Sequence, residues 1–434
     1  MDLEQQVDWL SKSRRLGIQR HLPLLFMLFL ACCYLTININ QPWVSLYEEN
    51  GLIFSSIAVN QWRFGLAATK GQGLADTTTI FASSIPGVPP SQEFQYLLTG
   101  PVQPQFYCDH PPLLGLTIAG AFGLLGYQFW VVRLVPILYS LASLIVFYFF
   151  VRRLFDLGVA RFATFLCATF PMLAYYGRNV AHEAPTLFWT LILLSAYTHW
   201  KAAPQRRWLW VMGAAVVIGV CYDWPMCYFA CIVFGVDWLA SRRLSWALAL
   251  ATVAPAVITT FLMFAQIFWA LGGTIQPVID IFLVRTSTST YLNVPITFSS
   301  WVGHLLLANI QGYGLWALPL MPWVAYFLVK RARAEGWSLR MRVLVMALLF
   351  GVSHILLFPN GAFYHDYWQF YLLPFYALSI GWAAVSLVRN RFPGMSLRTL
   401  VLVGAGLGIV LLNTPIIFGL YSSVSGVFVP LVHM

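Results

Sequence analysis

The sequence predicts an all-α polytopic membrane protein with about eleven transmembrane helices, each near the length of a bilayer crossing. Three observations predict it. The chain of 434 residues is 59% hydrophobic and only 9% charged, against about 25% charged in a soluble domain. Apolar runs near the length of a crossing recur along the whole chain. These runs are rich in Leu, Phe and Trp and lack period-2 alternation, which argues against a β-barrel.

The spans are expected at roughly 22–40, 133–151, 159–177, 185–200, 208–222, 225–241, 246–270, 312–329, 341–358, 368–388 and 398–420. The first follows a polar N-terminus and has no small-residue cleavage site, so it reads as an anchor rather than a signal peptide. With the N-terminus in the cytoplasm, Lys12, Arg14, Arg15 and Arg20 lie inside. So do Arg152, Arg153, Arg161, Lys201, Arg206, Arg207, Arg242 and Arg243. Lys330, Arg331, Arg333, Arg340, Arg342, Arg389, Arg391 and Arg398 join them, which makes 20 of 25 basic residues on one side. Residues 112–131 are apolar enough to span, but counting them would put Arg152 and Arg153 outside. They are therefore expected as a helix on the outer membrane surface, entered through Pro111-Pro112, with a re-entrant helix as the alternative.

This topology makes residues 1–434 a single integral membrane domain with no soluble C-terminal domain. Its outer side carries two long segments, about 41–132 and about 271–311, beyond ordinary connection lengths. Nine of the fifteen acids fall there: Glu48, Glu49, Asp76, Glu93, Asp109, Glu183, Asp223, Asp280 and Asp366. His110, His182, His304 and His365 join them. The net charge of +10 is spread through the inner loops, which excludes a nucleic-acid footprint. Of seven cysteines only Cys108 lies in a long loop, and no CxxC motif occurs.

Five groups carry chemistry. Glu48-Glu49 sits where the chain leaves the first span. Such an acid either starts a helix or acts as a base with a raised pKa. In Cys108-Asp109-His110-Pro111-Pro112 the prolines fix a rigid turn. Asp109 and His110 then hold a metal or a phosphate, or Asp109 caps the following helix. Arg178 and Glu183 lie on the turn that ends at Pro185. The guanidinium there suits a phosphate, or it pairs with Glu183 to brace the turn. Asp223, in Tyr222-Asp223-Trp224-Pro225, is either a site acid or a turn residue. Tyr364-His365-Asp366-Tyr367 suits sugar stacking, or is an interfacial aromatic belt. His304 is a weaker candidate in the second loop.

The order of these motifs resembles the protein O-mannosyltransferase and aminoarabinose transferase family, which has the type-C glycosyltransferase fold (GT-C). The family's acid pair, usually Asp-Glu, is matched by Glu48-Glu49; its His-Pro-Pro-Leu run by His110 to Leu113; its Arg…Asp/Glu-x-Pro turn by Arg178, Glu183 and Pro185. Its late His-x-Tyr…Leu-Pro segment is matched by His365, Tyr367, Leu373 and Pro374. The resemblance runs from about residue 20 to 390.

It implies an inverting glycosyltransferase that uses a polyprenyl-phosphate-linked sugar and a hydroxyl acceptor on a protein, lipid or glycan at the extracytoplasmic face. Glu48 would be the base, with Glu49 second. Asp109, His110, Arg178, Glu183, Asp223, Tyr364, His365 and Tyr367 would bind substrate. A divalent metal is a candidate cofactor, on Asp109 and His110. Many members carry a Lys near the turn occupied here by Asp223, so phosphate binding would pass to Arg178 or Lys70. A transporter or lipid-linked-sugar flippase is the rival class. It would more often place its charges mid-span and show inverted repeats.

Overall fold

The computed structural model describes residues 21–43, 45–77, 87–89, 92–101, 103–288, 295–392 and 394–423; the N-terminal basic residues Lys12, Arg14, Arg15 and Arg20 lie outside them. The described residues open with α1 (His21–Leu35). The first long loop carries α2 (Glu49–Ala68), β1 (Gly73–Asp76), α3 (Glu93–Thr99), β2 (Pro104–Tyr107) and α4 (Leu113–Leu125). Then come α5 (Phe129–Leu154), α6 (Leu157–Thr169), α7 (Pro171–Ala174), α8 (Glu183–Ala202), α9 (Arg206–Tyr222), α10 (Pro225–Ser241), α11 (Trp246–Ala251) and α12 (Val253–Ala270). The second long loop carries α13 (Gln276–Thr286) and α14 (Phe298–Tyr313). The chain continues through α15 (Ala317–Glu335), α16 (Leu339–Leu357), α17 (Pro359–Tyr364), α18 (Leu373–Arg391) and α19 (Met395–Ser422).

Each expected span falls on helix. Among the described residues five helical stretches are long and apolar enough to cross a membrane, or seven if two sharply bent pairs each count as one. The expected count of about eleven crossings exceeds both figures. The two bent pairs are α6 with the turn after it, at 56°, and α14 with α15, at 92°. The protein is an integral, multi-pass membrane protein. The expected surface helix is shorter than drawn: it stops at Leu125, Gly126 follows with φ +81°, and Phe129 already belongs to α5.

The helix starts follow local chemistry. Asp156 caps α6 by accepting from the N–H groups of Gly158 and Val159, at 2.8 and 3.1 Å. Thr297 and Ser338 cap α14 and α16 in the same way. The close crossing of α6 and α18 needs Gly381. A Cβ there would stand 2.9 Å from Ala163 Cβ and 3.0 Å from Ala163 Cα. Backbone cannot move aside cheaply, so Gly381→Ala is expected to cost roughly 1–3 kcal/mol. A lower thermal midpoint in detergent, partly restored by adding Ala163→Gly, checks this.

Two apolar cores form. The larger joins the long helices. The smaller lies beneath the first loop, where Trp43, Phe54, Ile57, Leu114, Ile118, Phe122, Val131 and Tyr222 pack together. Within it α2 serves as a scaffold for the β1–β2 pair. Asn60 donates to Leu74 O, Gln61 donates to Gln72 O, and Ser56 Oγ accepts from Asp76 N. These side chains satisfy the backbone of a short buried strand. The antiparallel register, Gly73 opposite Tyr107, fixes where β2 ends and so where Asp109 and His110 begin.

Candidate functional site

Glu48 and Glu49 are neighbours with different surroundings. Glu48 is 4% exposed at its side chain and faces two arginines that are each 1% exposed. Arg178 donates to its Oε1, Arg133 lies 3.1 Å from Oε2, and Ser45 N–H donates to Oε2. The same arginines collect carbonyls of the segment leaving α1: Arg133 takes Ile39, Gln41 and Pro42, and Arg178 takes Ile37. Burial alone would raise the Glu48 pKa; the charges of Arg133 and Arg178 outweigh it and hold the carboxyl below its ordinary value. A carboxylate with both oxygens engaged and a lowered pKa is poorly suited to take a proton. The surroundings of Glu48, the expected first-choice base, are those of a buried ion pair that ties the segment after α1 to α5 and the turn at Arg178. Arg178 pairs with Glu48 rather than with Glu183. Glu49 opens α2, half-buried, and Tyr47 and Tyr367 both lie within reach of its charge. Asn50 beside it donates to the Tyr367 hydroxyl at 3.2 Å.

The second group centres on Asp223. It is buried and accepts from His110 Nδ1 at 2.9 Å, from the Tyr371 hydroxyl at 3.0 Å and from Trp224 N–H. This is a hub of three elements rather than a turn residue alone. Asp109 does not cap α4, whose start has no side-chain cap. It lies 3.3 Å from Arg285, a residue that the motif reading passed over. Arg285, on α13, also lies 3.4 Å from His110 Nε2 and stacks over Trp368. The tautomer of His110 follows from these partners: Nδ1–H donates to Asp223, and Nε2 accepts from Arg285. Burial first, and then the Arg285 charge, keep this imidazole well below its ordinary pKa and therefore neutral. Burial raises Asp109, and Arg285 partly opposes that.

His182 stacks on His110 with ring centroids 4.2 Å apart. Its Nδ1 is 2.6 Å from Tyr222 O, and burial with His110 alongside pushes its pKa down to about 3. On the same turn, buried polar atoms have no hydrogen-bond partner among the described residues: His182 Nε2, Glu183 Oε2 and the Asn179 amide. Such atoms are rare in a folded interior and call for a polar ligand or water. Lys70 stands elsewhere, donating to Trp269 O and Ala270 O at the end of α12.

The late aromatic segment closes the other side. Tyr47, Tyr176, His365 and Tyr367 form a ring cluster, and His365 also packs on Trp368, which links it to Arg285. Tyr364 ends α17 against Phe363. His304 Nε2 lies 2.7 Å from Asp366 Oδ1, so the weaker candidate of the second loop joins the same wall. Arg285 lies against both Asp109 and His110, the expected metal ligands, and no group of three or more His, Cys, Asp or Glu gathers among the described residues.

The multi-pass helical bundle has the type-C membrane glycosyltransferase fold. Residues 109–269 match the model of the dolichyl-phosphate-mannose-protein mannosyltransferase family. ArnT from Cupriavidus metallidurans, solved bound to undecaprenyl phosphate, is 15% identical with a TM-score of 0.57, over 83% of this chain and 59% of ArnT. The archaeal oligosaccharyltransferase AglB from Archaeoglobus fulgidus, solved with an inhibitory peptide and a dolichol-phosphate, is 14% identical with a TM-score of 0.56, over 96% of this chain and 57% of AglB. The chain thus spans less than two thirds of either protein. No curated protein matches the sequence.

Proposed function

We propose that the protein is an inverting membrane glycosyltransferase. It moves a sugar from a polyprenyl-phosphate donor to a hydroxyl acceptor at the extracytoplasmic face of a cell membrane, with its N-terminus cytoplasmic. The observation that carries this reading is Arg285, held against Asp109, His110 and Trp368 at the polar end of the bundle. A guanidinium there suits the phosphate of a lipid carrier whose tail stays in the bilayer. Glu49 takes the proton of the acceptor hydroxyl. The acceptor oxygen bonds the anomeric carbon from the side opposite the phosphate. The sugar–phosphate bond breaks, its electron pair stays on the phosphate oxygen, and Arg285 stabilises that charge. Asp223 holds His110 in one tautomer, Glu183 and His182 offer hydrogen bonds to sugar hydroxyls, and Tyr364, His365 and Tyr367 form the stacking wall.

The test is transfer by purified protein in nanodiscs, from a panel of radiolabelled polyprenyl-phosphate sugars to acceptors in a membrane extract. Wild type is expected to move label to an acceptor. Arg285→Gln is expected to lose roughly 10²–10³ in kcat/KM, the cost of removing one donor to a developing charge. No transfer from any donor, with donor still bound, would favour the lipid-linked-sugar flippase reading.

A further inference from the structure

The end of the bundle opposite the candidate site has its own built feature. α8 begins at Glu183 in the site and ends at Ala202, about 30 Å away at helical rise. A cavity of about 410 Å³ opens there, lined among others by Arg153, Leu154, Glu335, Ser338 and Arg340. A second cavity of about 180 Å³ adjoins it and shares Arg340. The first volume is within the range of small-molecule sites.

The charges do not cancel locally. Glu335 lies 3.5 Å from Arg331, and Asp156 takes both terminal nitrogens of Arg389. Each acid thus has an arginine partner other than Arg153 and Arg340. Arg153 and Arg340 have no acid partner among the described residues. Arg340 is nonetheless held in place: its Nε donates to Leu154 O at 2.9 Å and its guanidinium lies over the Phe155 ring. Its two terminal nitrogens have no hydrogen-bond partner among the described residues, and the residue lines both cavities. The first turn of α16, at Ser338–Arg340, supplies further positive potential from a 19-residue helix.

We propose that this arginine-lined cavity binds a phosphate-bearing ligand, the headgroup of an anionic phospholipid in the leaflet at that end. Basic pockets between membrane helices bind such headgroups, and Leu154, Leu339 and Ala202 give the cavity an apolar side for a lipid. The site is independent of the transferase reading.

The test reconstitutes the full chain in nanodiscs of phosphatidylcholine with phosphatidylglycerol and counts retained lipids by native mass spectrometry. Wild type is expected to retain phosphatidylglycerol selectively, and Arg153→Gln/Arg340→Gln to retain it about tenfold more weakly. Arg153→Gln alone leaves the Arg340 bond to Leu154 intact and is expected to lose part of the retention. Melting in pure phosphatidylcholine reports whether the variants fold. Inorganic phosphate is the second probe, read as a rise in melting temperature. Phosphate that stabilises wild type but not the double variant identifies a soluble source; phosphatidylglycerol retention without that effect identifies the lipid. Equal retention in wild type and a folded double variant, with no effect of phosphate on either, would overturn the site. So would an equal loss on Arg207→Gln, a basic residue of the same end that lines neither cavity, since that marks diffuse attraction.

Discussion

Glu49→Gln is expected to lower sugar transfer by roughly 10²–10⁴, the range for removing a positioned general base, while donor binding and thermal midpoint stay near wild type. The substitution keeps size and hydrogen-bonding shape and removes only the ability to hold the acceptor's proton. Glu49 is half-buried at the first turn of α2, where a neutral amide is tolerated. Tyr47 and Tyr367 lie within its electrostatic reach. Single-turnover transfer with bound donor separates the chemical step from binding. Transfer retained within tenfold of wild type would remove Glu49 as the base and point to Asp109.

Glu48→Gln is expected to act on stability first. Removing this charge leaves Arg133 and Arg178 buried without their common counter-ion, and breaking a buried pair from one side costs about 3–5 kcal/mol. Both guanidiniums also stack on aromatic rings, Arg133 over Trp43 and Arg178 over Tyr421. The loss should therefore spread to the path between α1 and α2 and to the end of α19. The expected readout is a fall in midpoint with faster proteolysis near residues 37–48. The pH dependence has a definite sign. The Glu48 pKa is lowered in the fold, so its contribution is fully present above the unfolded value near 4.3 and is lost as pH falls through the folded value. The gap in midpoint between wild type and Glu48→Gln should be full at neutral pH and shrink below about pH 4. A folded variant with an unchanged midpoint would refute the structural role.

These two predictions separate residues that are adjacent in sequence. Nothing local distinguishes Glu48 from Glu49; both are acids just beyond an apolar run. Their difference comes from Arg133 and Arg178, which lie 85 and 130 positions from Glu48 along the chain and meet it only in the folded bundle.

Much of the architecture needed no coordinates. A bilayer removes water from the backbone, so apolar length and basic-loop asymmetry alone yield helices at every expected span. The proline pair at 111–112 marked Asp109 and His110 through a local constraint, the rigid turn it imposes. The roles of the cations were different. Twenty of the 25 basic residues fall in the loops expected inside, which leaves Arg63, Lys70, Arg133, Arg178 and Arg285. That shortlist was legible, and it contained the missed residue. Tertiary structure alone sorted it. Arg63 and Lys70 donate to carbonyls, Arg133 and Arg178 pair with Glu48, and Arg285 reaches Asp109 and His110 from α13. Composition and hydropathy report how each residue meets the membrane. Which carboxylate a guanidinium meets depends on contacts between distant segments, and those exist only once the helices have packed.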